Sequence, residues 1–201
     1  IGSGKARVRV GKQKLAAYLG APKYTHGAID AINEIGLANG LAWTSFCGET
    51  LQIEVQIVPG SGQVILTGKL GDVMQESAKA ALTFIKAHAE EFGITLPLDK
   101  KDIHLHVPEG AVPKDGPSAG ITIMTAMLSA LSGIPARADT AMTGEITLRG
   151  RVLEIGGLRE KLLAAYRAGI KRVLIPKANE KDLSDVPDEV KANMEIIGVA
   201  S

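Results

Sequence analysis

The residues of this sequence that are best suited to chemistry are a serine set between glycines and a lysine that follows later. Ser118 lies in Gly116-Pro117-Ser118-Ala119-Gly120, directly before the apolar run 121–131. Such a run predicts a buried helix, and the unpaired N–H groups at a helix N-terminus can hold a developing oxyanion. Ser118 is therefore a candidate nucleophile, although a serine at a helix start often serves only as an N-cap.

One way to activate this serine is through histidine. The five residues match G-x-S-x-G, the nucleophile elbow of α/β-hydrolases, in which an acid and then a histidine follow the serine. The sequence excludes that order, because all four histidines precede the serine: His26, His88, His104 and His106. A chain order of His, Asp, Ser through His104 or His106 stays open.

Lysine is the other candidate base, and it requires an amine whose pKa is lowered by burial. On a helix over 157–168, Lys161 falls on a flank lined by Ala165 and Ala168. The amine could be desolvated in a cleft, or the side chain could snorkel with its amine in water, and the spacing leaves both interpretations open. Lys114 is nearer to the serine in sequence, but it lies in a polar loop where we expect it to stay protonated.

Other polar residues stand near these two in the predicted elements. His104 and His106 alternate with apolar residues, so both imidazoles share one face of a strand. A metal site would need a third ligand that the sequence does not place, so we interpret them as a polar strand face and expect no metal. Thr143 follows a short apolar strand, where it is either a hydrogen-bonding group in a cleft or an ordinary β-branched strand residue.

The composition is that of an ordinary globular protein. The chain has 201 residues, 45% of them hydrophobic, and a formal net charge of +1, which shows no bias toward nucleic acid or membrane. Cys47 is the only cysteine, so the chain has no internal disulfide, which fits a reducing compartment weakly. A basic run over 5–14 is interpreted as a solvated arm or the end of an upstream domain rather than a nucleic-acid contact.

Periodicity and turn residues predict one mixed domain after about the first twenty residues. Asp72 with Gln75 resembles a capping box that opens a helix ending before Gly93. The predicted strands are 51–57, its hairpin partner 63–67, 103–107, 140–155 with a hairpin turn near Arg149-Gly150, 172–175 and 194–199. The predicted helices are 72–91, 116–132 and 157–168.

Several blocks in order make the chain resemble the proteolytic domain of the Lon family of ATP-dependent proteases. The resemblance covers nearly everything from about residue 18 onward and is far more specific than any single motif. The blocks are Gly40-Leu41-Ala42-Trp43, Val107-Pro108-Glu109-Gly110-Ala111, residues 113–120, residues 142–150, residues 152–161, Ala164-Ala165 and Val173-Leu174-Ile175-Pro176.

The resemblance implies an α+β fold, a mixed two-layer αβ domain of the Lon proteolytic type, over 21–201. Residues 1–20 would be the tail of an upstream ATPase segment. It implies a Ser–Lys dyad in which Ser118 is the nucleophile and Lys161 the general base and acid. The backbone N–H groups of Ser118 and Ala119 would hold the oxyanion, and Thr143 would orient the lysine amine. His104, His106 and Asp115 would have supporting roles, or Asp115 would regulate access by pairing with a lysine.

The activity implied is that of an ATP-dependent serine endopeptidase that degrades misfolded and regulatory proteins. This domain would need no cofactor, because ATP and Mg²⁺ belong to the AAA+ ATPase region of the full-length protein. A homo-hexameric ring, DNA binding by the full-length protein and a bacterial cytoplasmic location, with the mitochondrial matrix as the alternative, are further expectations. No membrane partner is expected.

Two other functions stay open at this point. One is an assembly module whose dyad is silent without the ATPase, and the other is a small-molecule esterase that uses the same dyad. If Lys161 is the base, activity should rise with pH as its amine loses a proton.

Overall fold

The computed structural model describes residues 11, 17–20, 32–44, 47–108 and 115–201. The predicted upstream tail and the residues just before the serine loop, including Lys114, lie largely outside these ranges. The strands are β1 (Leu37–Trp43), β2 (Gly48–Pro59), β3 (Val64–Thr67), β4 (Lys101–His106), β5 (Thr140–Met142), β6 (Glu145–Ile146), β7 (Val152–Leu153), β8 (Arg172–Pro176) and β9 (Glu195–Val199). From residue 72 onward the α-helices are α1 (Asp72–Ala87), α2 (Gly120–Ser132), α3 (Leu158–Arg167) and α4 (Asp188–Asn193), and 3₁₀ segments span Leu98–Lys100, Pro117–Ala119 and Lys177–Asp185.

Seven of these strands form one sheet in the order β3-β4-β2-β1-β5-β8-β9, and β6 and β7 pair separately. β2 pairs antiparallel with β1 and β4, whereas the other neighbours in the large sheet are parallel. A mixed sheet with helices packed against it confirms the predicted α+β class. Within the described residues, no helix has the length and apolar character needed to cross a membrane.

Two hydrophobic clusters hold the helices against this sheet. The first contains residues of α1 and α2 with β2 and β4, and the second contains residues of α3 and α4 with β5 and β8. Ala38 of β1 belongs to the first cluster and Leu41 to the second, and residues three apart on a strand point to opposite faces. The helices α2 and α3 therefore pack on opposite faces of the central strands.

Most of the predicted elements are present in the structure. Leu51, Ile53 and Val55 are buried, as their alternation with polar residues predicts. The hairpin that turns near Arg149-Gly150 is present as β6 and β7, and the two late strands are present as β8 and β9.

The predicted hairpin between β2 and β3 is wrong. β3 pairs in parallel with β4, which lies between β3 and β2 in the sheet. The turn after β2 is instead held from β4, because Asp102 Oδ1 accepts hydrogen bonds from Ser61 N at 2.7 Å and Gln63 N at 2.9 Å.

The predicted capping box of α1 is also wrong. The N-cap residue is Gly71, and Asp72 is the first helical residue. Gln75 does not reach back to close a box but donates its side-chain amide to Leu70 O at 2.9 Å. The helix ends at Ala87, where His88 leaves helical geometry with φ −121°, so it is shorter than predicted.

The sequence patterns missed β1, the long 3₁₀ segment and α4. β1 has glycine at Gly40, where a Cβ would lie 2.9 Å from Thr122 Oγ1 of α2. The helix crosses the strand at that point, so the residue that makes the packing possible also weakens the strand signal.

Candidate active site

Ser118 lies in the 3₁₀ turn Pro117–Ala119, which runs directly into α2. Its backbone carbonyl accepts hydrogen bonds from Gly144 N at 2.8 Å and from Thr143 Oγ1 at 3.3 Å. Ile121 N in turn donates to Gly144 O at 3.0 Å. The connection between β5 and β6 therefore holds the start of the serine helix at Ser118 and again three residues later.

Lys161 is buried, with 1% of its surface exposed, which decides against the snorkelling interpretation. It lies one turn into α3, beside the core residues Leu158, Leu162 and Ala165. Burial disfavours the charged amine and lowers the pKa of Lys161 from 10.5 to about 8. Its amine is thus brought close to the range in which it can act as a base at neutral pH.

Thr143 links the lysine to the serine. Its side chain is fully buried, and its backbone N–H donates to Leu174 O at 3.1 Å. Lys161 Nζ donates to Thr143 Oγ1 at 3.1 Å, and that hydroxyl donates to Ser118 O. The structure therefore brings together the three residues Ser118, Thr143 and Lys161, although no hydrogen bond joins Ser118 Oγ to Lys161 Nζ within the part of the chain described.

The chemistry available to the amine follows from this linkage. The proton of the Thr143 hydroxyl is directed at the Ser118 carbonyl, so the hydroxyl oxygen accepts from Lys161. A neutral lysine amine has two N–H groups and one lone pair. One N–H is held by Thr143, and the lone pair is left to accept a proton from an incoming hydroxyl.

Asp115 does not pair with a lysine among the residues that the structure describes. Its Oδ1 accepts hydrogen bonds from Met74 N in the first turn of α1 at 3.2 Å and from Gly116 N at 2.9 Å. A Cβ built on Gly71 would lie 2.3 Å from the Asp115 carboxyl carbon, so the carboxylate sits directly on the helix N-terminus. Asp115 thus ties the segment before the serine to α1.

His104 and His106 are instead hydrogen-bonded to Thr67. Thr67 Oγ1 is 3.0 Å from His104 Nε2 and 2.7 Å from His106 Nδ1. No hydrogen bond joins either imidazole to Ser118 or Asp115 in the described ranges, so the structure does not assemble a His–Asp–Ser arrangement. No group of three His, Cys, Asp or Glu side chains is positioned to hold a metal there.

The sequence interpretation missed the part played by the backbone of Gly144. This residue both donates to Ser118 O and accepts from Ile121 N. A Cβ at Gly144 would lie 2.6 Å from Val152 Cγ1, so a larger residue would push the connection away from the hairpin. Its position directly after a candidate polar residue at a strand end was the available signal.

The chain is similar to known proteins over almost its whole length. The family model described as "Lon protease (S16) C-terminal proteolytic domain" matches residues 9–201. The chain is 56% identical over 197 residues to the Lon protease of Brucella suis biovar 1 (strain 1330) and 54% identical over 198 residues to Lon protease 1 of Myxococcus xanthus. It is 55% identical over 195 residues to the Lon protease of Rhizobium meliloti (strain 1021). These matches cover 96–98% of this chain and 24% of each relative.

Proposed function

Because the chain belongs to the Lon protease family, in which it corresponds to the C-terminal proteolytic domain, we propose that it is a serine endopeptidase that works through a Ser118–Lys161 dyad. The observation that carries the proposal is the buried Lys161 amine, held through Thr143 against the backbone of Ser118. A buried lysine with a lowered pKa is the kind of base that can activate a serine when no histidine is in reach.

The first half of the proposed reaction forms an acyl-enzyme. Neutral Lys161 accepts the hydroxyl proton as Ser118 Oγ attacks the carbonyl carbon of a peptide bond. The oxygen of that carbonyl gains negative charge, which the backbone N–H groups of Ser118 and Ala119 at the helix start stabilise. Protonated Lys161 then gives its proton to the leaving amine, and the C–N bond breaks.

The second half hydrolyses the acyl-enzyme along the same path. Lys161, now neutral again, takes a proton from water as the water oxygen attacks the ester carbonyl. The tetrahedral intermediate collapses and Ser118 Oγ leaves, receiving the proton from Lys161. Each proton passes through Lys161, first from Ser118 to the leaving amine and then from water to Ser118. The proposed steps therefore use no metal ion or organic cofactor.

The activity of the whole protein is a wider proposal. The chain spans about a quarter of the length of the curated relatives that it matches. We propose that the full-length protein is a hexameric, ATP-dependent protease of misfolded and regulatory proteins in the cytoplasm. ATP and Mg²⁺ would act in its AAA+ region, which lies outside the present chain.

Hydrolysis of a fluorogenic peptide by this domain tests the dyad, with Ser118→Ala and Lys161→Met as the variants. We expect each to lower kcat/KM by about 10³-fold or more, and the double variant to be no worse than either single one, because the two groups act as a unit. A serine-reactive phosphonate should label Ser118 in the parent and in His104→Ala, but not in Ser118→Ala. Activity that survives in Ser118→Ala would refute the mechanism.

A parent domain that is silent on peptides but labelled at Ser118 would point instead to the assembly module that needs its ATPase. The same assay on the full-length protein with ATP would then decide between the two. Hydrolysis of small esters alone, with no cleavage of peptides in either form, would support the esterase.

A further inference from the structure

The helix that carries Lys161 is contacted at its N-cap by an aromatic side chain that the proposed mechanism does not use. Trp43 is the last residue of β1, and 51% of it is exposed. A Cβ built on Gly157, the N-cap of α3, would lie 2.5 Å from Trp43 Cγ. The indole therefore packs directly on the backbone of Gly157 and leaves no room for a side chain.

The conformation of Gly157 makes this contact specific. Its φ of 67° lies in the left-handed region, which L side chains rarely adopt. The residue turns the chain sharply into α3 at the place where the indole covers it. Both the sharp turn and the close approach require glycine.

A second contact supports the same helical turn from β2. Gly48 is the register partner of Trp43 across the β1–β2 ladder. A Cβ built on Gly48 would lie 2.0 Å from Glu160 O and 3.0 Å from Lys161 N. The end of the ladder thus packs on the first turn of α3 at two points, against backbone atoms in both cases.

These contacts bear on the position of the Lys161 amine. Lys161 N donates to Gly157 O at 3.0 Å, the hydrogen bond that closes the first turn of α3. The Cα–Cβ bond of a helical residue points toward the helix N-terminus, so the lysine side chain extends over this turn. A shift of the turn by about 1 Å would carry the amine out of its 3.1 Å contact with Thr143 Oγ1.

We propose that Trp43 is a positioning residue for Lys161, and that its indole packs on Gly157 to hold the first turn of α3 where the lysine amine meets Thr143. The proposal rests on the role given to Lys161 above. It assigns Trp43 no contact with the reacting atoms.

The test compares Trp43→Ala with the conservative Trp43→Phe, which keeps a ring over Gly157. We expect Trp43→Ala to lower kcat on a peptide substrate by about 10- to 100-fold with little change in KM, and Trp43→Phe to restore most of the loss. Ile134→Ala removes another exposed apolar side chain, one that precedes β5 and is 67% exposed, and should leave kcat unchanged.

A second readout does not depend on activity. The pKa of Lys161 can be followed by NMR of its ¹³C-labelled Cε, assigned by the signal that disappears in Lys161→Met. Loosening the first turn admits water to the amine, so Trp43→Ala should raise the pKa of Lys161 from about 8 toward 10.5. Trp43→Phe and Ile134→Ala should leave the pKa of Lys161 unchanged.

Two results would overturn the proposal. One is a Trp43→Ala domain whose Lys161 pKa and kcat both match the parent. The other is a variant that raises KM alone, which would make Trp43 a substrate contact instead. If Lys161→Met itself keeps full activity, the proposed dyad fails, while the NMR titration still decides whether Trp43 positions the lysine.

Discussion

Lys161 is the residue whose burial has the most consequences. A pKa lowered from 10.5 to about 8 still leaves the folded amine mostly protonated at pH 7. The proposed mechanism uses the neutral amine, and the pKa of that amine lies slightly above neutral pH. Both the rate and the stability of the domain should therefore depend on pH through this one group.

For the rate, kcat/KM on a peptide substrate should rise about tenfold per pH unit below about pH 8 and level off above it. The reason is that only the fraction of molecules with a neutral Lys161 amine can accept the Ser118 proton. A pH–rate profile from about pH 6 to about pH 9.5 measures this. A flat profile over that range would contradict the role of Lys161 as the base.

For stability, Lys161→Met should raise the free energy of unfolding at pH 7 by up to about 3 kcal/mol. The folded pKa lies below the unfolded one, so the unfolded chain binds more protons between about pH 8 and 10.5, and stability rises with pH there. The cost of burying the charged amine is complete below about pH 8 and disappears above 10.5.

Urea unfolding at about pH 7 and about pH 10.5 checks the sign. The gain from Lys161→Met should be largest at the lower pH and should shrink at the higher one. A Lys161→Met domain that is less stable than the parent by the same amount at both pH values would show that the amine is not held at a desolvation cost.

At the scale of elements, the start of the serine helix is tied to α1 by one carboxylate. Asp115 accepts from Met74 N and Gly116 N, so it caps α1 and fixes the chain three residues before Ser118. Asp115→Ala should lower the free energy of unfolding by about 1 kcal/mol, as removal of a helix cap does, and should also lower kcat. Asp115→Asn keeps an acceptor oxygen, so it should retain most of the stability and most of kcat.

Asp102→Ala is the matched control for this prediction. Asp102 also accepts two backbone hydrogen bonds, from Ser61 N and Gln63 N, but in a turn at the far end of β4 from the serine loop. Asp102→Ala should lower the free energy of unfolding by a similar amount without changing kcat. Equal losses of kcat in Asp102→Ala and Asp115→Ala, measured with the peptide assay and urea unfolding, would mean that Asp115 acts only on stability.

The same elements show how far the sequence could predict the fold. Local periodicity predicted β2, α2 and α3, because their buried faces are determined by their own residues. It located β3 but misassigned its pairing, and it misassigned the cap of α1, because the residues that determine both, β4 and Asp115, lie about forty residues away in the chain. The helical flank of Lys161 was predicted, but the choice between burial and snorkelling depended on packing and on Thr143, which another element supplies.

At the scale of the whole molecule, the candidate site lies where the two hydrophobic clusters meet. Ala119 and Ile121, beside the serine, belong to the first cluster, whereas Leu158 and Leu162, beside the lysine, belong to the second. Thr143 follows β5, a strand that contributes one residue to each cluster. The candidate pair, Ser118 and Lys161, is thus brought together only when both faces of the sheet are packed.

The contact between Trp43 and Gly157 also gives the intrinsic fluorescence of the domain a defined origin. Trp43 is the only tryptophan in the chain, so intrinsic indole fluorescence comes from one place, the entrance to the lysine helix. An emission spectrum recorded during unfolding therefore reports the local state of that turn, while far-UV circular dichroism reports the backbone as a whole. If the two transitions separate, the fluorescence change marks the range of conditions in which the first turn of the Lys161 helix has loosened while most of the backbone is still folded.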